Sequence, residues 1–154
     1  MKEPIGIKRF TFYFWVVLIW TAIWLLHYSI EYPDTFYVRI PNELWRNVYL
    51  VVVAILFFEY VWPYVIKRRK YIVFNILIGI FSLWVVMMLI SFGLYAWRQF
   101  GIALGIYTGL RKDETIKHAV AYQTQSGVMF MFITGIARHI YNYIKLVQVT
   151  QKLR

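Results

Sequence analysis

Four runs of mostly apolar residues, each about 20 residues or longer, divide the chain at about 10–30, 45–66, 71–97 and 119–137. A continuous apolar stretch of that length matches the hydrocarbon thickness of a bilayer when coiled into a helix, so each run predicts a transmembrane helix. The first lacks the small-residue cleavage site of a signal peptide and is too long for one, which makes it a retained helix. The second carries Glu59 and Pro63 close to its end, where a kink or early unravelling is expected. The third is uncharged for 27 residues, enough to span with tilt. The fourth is the least apolar. Its opening "AYQTQSG" favours protein neighbours over lipid.

Between the first two runs, residues 31–46 hold Pro33, Asp34, Pro41 and Asn42. That is loop chemistry, with "PNELW" a helix start. From Arg138 onward the chain has no Gly or Pro, and Tyr143, Leu146, Thr150 and Leu153 form a thin helical stripe. The reading is an all-α, polytopic membrane protein: one four-helix transmembrane domain over 1–154, with 138–154 a helical extension.

Composition agrees. Hydrophobic residues make up 61% and charged residues 16%, against about a quarter in soluble domains. Mean hydropathy is +0.57. With no cysteine, disulfides, thiolate metal sites and cysteine nucleophiles are excluded. The net charge of +10 follows from the positive-inside bias and attraction to anionic lipid, so no nucleic-acid partner is expected. Eleven cations fall on one side of the four spans: Lys2, Lys8, Arg9, the Lys67–Lys70 turn, Arg138, Lys145, Lys152 and Arg154. Six fall on the other: Arg39, Arg46, Arg98, Arg111, Lys112 and Lys117. Both termini are therefore expected in the cytoplasm, N-in/C-in.

Glu59 stands out in "FFEYVWPYVIKRRKYIVF" because an acid at membrane depth costs several kcal/mol unless it is protonated or hydrogen-bonded. It is either a proton- or ligand-sensing group or a polar plug. Without a second acid or a membrane lysine to form a relay, the plug is favoured, bonded to Asn75 on the third run with Arg138 as a further partner. Lys67, Arg68, Arg69 and Lys70 read as a topology anchor on anionic head groups, worth about 1 kcal/mol per cation.

His27, His118 and His139 lie far apart at different expected depths, so no metal site is predicted. The Arg111–His118 spacing in "RKDETIKH" resembles a ribonuclease motif only by chance. Gly101, Gly105 and Gly109 recur every four residues, as a helix-packing face would. Gln123, Thr124, Gln125 and Ser126 either line a cavity or hydrogen-bond between helices, and the residues leave both open. No nucleophile–base or acid–base pair converges, so neither catalytic residues nor a cofactor are assigned.

The layout resembles the N-terminal sensor region of LytS/YehU-like bacterial histidine kinases. The likeness runs through "FTFYFWVVLIWTAIWLLHYS" and "NVYLVVVAILFFEYVWPYVIKRRKYIVFNILIGI", with Tyr60, Pro63, Lys67, Arg68 and Tyr71 closing the second span. It implies a multi-pass protein of the bacterial inner membrane that relays a signal through its fourth helix. A response regulator would be reached through a domain outside these residues. The "PHFLFN" run that carries the phosphorylated histidine in such kinases does not occur here, and His139 in "ARHIYN" has no matching context, so no catalytic residue carries over. Other readings are a small accessory or assembly subunit of a larger membrane complex and an oligomeric pore. The cation asymmetry has a direct test. A fluorescent protein fused at Arg154 should fluoresce, and alkaline phosphatase fused there should be inactive. Phosphatase activity with a dark fluorophore would reverse the orientation.

Overall fold

In the computed structural model, which describes residues 5–67, 70–110 and 114–154 (side chains from residue 10 onward), the described residues are helical with no strand. Four long helices can be followed. Helix α1 is Ile5–Glu31. Helix α2 runs over 36–65, as Phe36–Ile55, a widened π turn at Leu56–Val61 and a last turn at Trp62–Val65. Helix α3 runs over 72–103, as Ile72–Met88, a second π turn at Leu89–Gly93 and Leu94–Ala103. Helix α4 is Ile116–Lys152. Three segments are long and apolar enough to cross a membrane: Phe10–Glu31, Pro33–Val65 and Ile72–Ala103. The fourth helix is longer than any single run predicts, and its 37 residues span about 55 Å.

Helix α2 starts well before the position expected from sequence. A 3₁₀ turn at Pro33–Thr35 leads straight into it, and Pro41 lies inside the helix. The residues taken for loop are its packed face. Asn42, Glu43, Arg46, Asn47, Leu50, Val53 and Ala54 are buried at helical spacing, polar at one end and apolar further on. Polar side chains tolerate this position because they meet partners on other helices. Asn47, for example, donates to Thr21 Oγ1 on α1 at 2.7 Å.

The core joins Tyr13 and Trp20 of α1, Leu50, Val53, Ala54 and Phe57 of α2, Ile90 and Leu94 of α3, and Phe130 and Met131 of α4. Helices α3 and α4 approach closely at Gly127, where an added Cβ would lie 3.0 Å from the Ile90 Cβ. No residue of segment Ile72–Met88 is fully buried, although Val86 packs on the core and Gly79 lies near Val65, so the first half of α3 packs less tightly than its second half.

Proline and aromatic residues explain the two π turns. Pro63 has no N–H for the Glu59 carbonyl, and Trp62 N–H reaches back five residues to the Phe57 carbonyl. The expected kink is thus a widened turn just ahead of the helix end. In α3, the Leu89 carbonyl accepts the Tyr49 hydroxyl at 2.7 Å. Nearer the helix end, Trp45 and Trp97 stack at 4.3 Å with planes 8° apart, and each indole N–H donates to the other residue's carbonyl, at 2.9 and 2.8 Å.

The glycine repeat is not one packing face. Gly101 is buried against the Trp45 indole, whereas Gly105 and Gly109 have open space where a Cβ would stand. Gly105 instead ends the helix. It has φ 77°, its N–H reaches the Ile102 carbonyl (3.1 Å), and Ile106 N–H reaches the Gly101 carbonyl (3.0 Å). This is a Schellman cap, which needs a left-handed residue. The chain then turns so that Asn42 holds Thr108 twice, from Nδ2 to its carbonyl and from its N–H to Oδ1, both at 2.8 Å. Gly105→Ala should cost about 1 kcal/mol through left-handed strain alone. Thermal unfolding in detergent measures it, and an unchanged midpoint would mean that the glycine does not set the turn.

Candidate functional site

At the end of the bundle that carries Pro33, the four helices enclose a half-open cavity of about 470 Å³. Helix α1 lines it with Trp24, His27 and Tyr28, followed by Tyr32. Helix α2 adds Arg39, Asn42, Glu43 and Arg46, spaced to share one helical face. Arg98 comes from the end of α3, and Tyr107, Thr108 and Leu110 from the turn held by Asn42. Glu114, with Tyr122 and Gln123 of α4, closes the wall.

The charges are arranged in pairs. Arg46 and Glu43, one turn apart, form an ion pair with both side chains almost fully buried, and Tyr28 hydroxyl donates to the same carboxylate oxygen at 3.3 Å. Arg98 Nη2 meets Glu114 Oε2 at 2.7 Å, binding the end of α3 to the approach to α4, and its guanidinium lies 5.4 Å from the Tyr107 ring centroid. Arg39 differs. It donates from Nε to Thr35 Oγ1 at 3.0 Å and lies over the rings of Tyr32 (4.0 Å) and Tyr28 (5.2 Å), without a carboxylate partner among the described residues. Burial raises the Tyr107 phenol above its ordinary pKa, against the opposing pull of Arg98, Arg46 and Gln123, so it stays a neutral hydroxyl.

Several buried polar atoms of this wall meet no hydrogen-bond partner: Nε of Arg46 and of Arg98, Oε1 of Glu43, and Oε1 of Gln123. Such atoms are uncommon in folded proteins, and a ligand or ordered water is the usual explanation. The four polar residues at the start of α4 divide. Gln123 lines the cavity and Ser126 is buried inside the bundle, while Thr124 bonds back to the Val120 carbonyl and Gln125 is exposed. The cavity reading thus holds for Gln123, whereas Ser126 Oγ meets no hydrogen-bond partner and Thr124 bonds within its own helix.

Toward the other end, α1, α2 and α4 meet at Glu59. Its Oε1 accepts from Tyr13 hydroxyl at 2.9 Å and from Arg138 Nη2 at 2.8 Å. The Arg138 guanidinium lies near the Phe12 and Tyr141 rings, at 5.7 and 5.9 Å. Arg138, the further partner expected for Glu59, thus meets it from α4. Asn75, the other expected partner, is half-buried on α3 with its N–H on the Tyr71 carbonyl. Of the anchor residues, Lys67 and Lys70 are exposed, and Arg68 and Arg69 lie outside the described residues. His27 lines the cavity and pairs with exposed Glu31 at 3.5 Å, whereas His118 and His139 are exposed on α4. The Arg111 of the rejected ribonuclease-like pair lies outside the described residues.

Sequence reasoning missed Glu43, Arg46, Arg98 and Glu114. A signal was present for the first two: the spacing of 42, 43, 46 and 47 continues into that of the buried apolar residues 50, 53 and 54. None marked the pairing of Arg98 with Glu114. No family model, curated protein or solved structure matches the chain.

Breaking a buried ion pair leaves one charge uncompensated, at a cost of about 3 kcal/mol or more. Glu59→Gln and Arg138→Gln should each destabilise the protein by roughly that much, and the double variant by clearly less than their sum. Denaturant unfolding in micelles gives the cycle, and additive losses would show that the two residues do not act as a pair. Tyr13→Phe should cost only about 0.6 kcal/mol, as for a single hydrogen bond in a membrane.

Proposed function

We propose that this chain is the transmembrane sensor module of a bacterial two-component histidine kinase, in the inner membrane. In this reading it has four membrane-spanning helices and both ends in the cytoplasm. The cavity at the Pro33 end receives the stimulus from outside, and α4 carries the response inward to a catalytic domain and, through it, to a response regulator.

One observation carries the reading. Helix α4 runs unbroken from the cavity, where it places Gln123, through the Glu59 junction, where it places Arg138, to an exposed extension ending near Lys152. A rigid helix in contact with an input site and an output segment can pass a small shift or rotation between them, provided that two packings are close in free energy. The widened turns of α2 and α3 support such alternatives, since π turns interrupt the regular ladder on either side of the helix that would move. Lys67 and the rest of its turn would hold anionic lipid and fix the orientation.

A second reading draws on the first half of α3. Ile72–Met88 is apolar apart from Asn75 and Ser82 and has no fully buried residue, as a face awaiting neighbouring helices would. An accessory subunit of a larger membrane complex, or a homodimer of the sensor, would cover it.

The chain has no cysteine, so a pair can be introduced for spin labels at exposed Tyr60, on α2, and exposed Ile144, on the extension. Distances in lipid nanodiscs are then compared with and without Arg39→Gln, which changes the charge of the cavity without stranding a buried acid. The sensor reading expects the distribution to shift or change its weights while helicity is kept. An unchanged distribution would separate the cavity from the extension and favour the subunit.

A further inference from the structure

The cavity has a charge imbalance. Among the described residues lining it are three arginines and two glutamates, and the glutamates are engaged by Arg46 and Arg98. Arg39 is the guanidinium left over, lying over the rings of Tyr28 and Tyr32. A guanidinium keeps its charge in any protein environment and presents a planar fork that matches an oxyanion. We propose that the cavity binds a small organic oxyanion, a carboxylate or phosphate ester carrying one negative charge.

The wall has groups for each part of such a ligand. Arg39 meets the charge. The unpartnered atoms of Arg46, Arg98, Glu43 and Gln123 lie beneath the wall and add no contact to the ligand. Tyrosine rings leave apolar area for its body. A volume of about 470 Å³ fits a small molecule, within the usual few hundred to a thousand Å³ of ligand pockets. A cation is disfavoured because it would face the unpaired guanidinium while both carboxylates are already engaged.

Two sources can supply this chemistry: a soluble organic acid and the glycerol phosphate head group of an anionic lipid. The inference rests on the cavity being the input site of the proposed sensor, but its test reads occupancy alone. If the ligand binds while the spin-labelled extension stays still, the sensor reading fails and this one stands.

Full-length protein in phosphatidylcholine nanodiscs is titrated with para-hydroxybenzoate, with neutral para-hydroxybenzyl alcohol and with cationic tyramine, following thermal stability and tryptophan fluorescence. A parallel series replaces phosphatidylcholine by phosphatidylglycerol. The proposal expects stabilisation by the acid and not by the alcohol or amine, or by phosphatidylglycerol over phosphatidylcholine; the first result assigns a soluble ligand and the second a lipid. In either arm Arg39→Gln should weaken the effect roughly tenfold or more, and Arg39→Lys, which keeps charge but not the fork, by less. Arg39 has no buried acid to strand, so both variants should fold, and their circular dichroism is checked. No response to either anion source, equal stabilisation by tyramine, or an effect unchanged by Arg39→Gln would overturn the proposal.

Discussion

A guanidinium cannot give up its proton when it leaves water, so each arginine drawn into this helix bundle has to bring an acid with it. Three do: Arg46 with Glu43, Arg98 with Glu114, and Arg138 with Glu59. The pairs do more than neutralise charge, because two of them join separate parts of the chain. Arg138–Glu59 fixes the depth at which α4 lies against α2. Arg98–Glu114 fixes where the chain re-enters the bundle after α3. Within a membrane, apolar side chains gain little by preferring one another to lipid, and such polar contacts are left to decide register.

Much of the remaining architecture accommodates those pairs. The Arg46–Glu43 face of α2 can be buried because α1 supplies Tyr28 and Thr21, and because Asn42 and Asn47 beside it find partners. The Schellman cap at Gly105 and the Asn42 clamp on Thr108 then fold the chain back over the same charges. The result is a polar chamber at one end of an otherwise apolar bundle, reached by all four helices. At the opposite end, beside Pro63 and the π turn, Glu59 meets Tyr13 and Arg138.

The chamber and the Glu59 junction differ in what surrounds them. The junction is closed by Tyr13, Phe12 and Tyr141, and suits a fixed contact between helices. Both keep buried polar atoms without a partner, Nη1 of Arg138 at the junction and four atoms at the chamber wall, but the chamber adds open volume and an arginine without an acid among the described residues. Helix α4 is the element common to both places.

Helical class, the three strongly apolar segments and the weight of Glu59 were legible in the sequence, because hydrophobic run length and a lone acid depend on neighbours along the chain. The start of α2 was misread because Pro33, Pro41 and Asn42 have strong local turn preferences that tertiary burial overrides. Of the partners expected for Glu59, Arg138 meets it, and that depends on how α2 and α4 pack rather than on neighbours along the chain. The Trp45–Trp97 stack, the Asn42–Thr108 clamp and the Arg98–Glu114 pair join residues 52, 66 and 16 positions apart. Sequence by itself determined which segments are apolar helices, because burial in lipid acts on each segment separately. Tertiary structure alone decided which polar groups meet, because a hydrogen bond or ion pair depends on the relative depth and rotation of two helices to within an ångström or so.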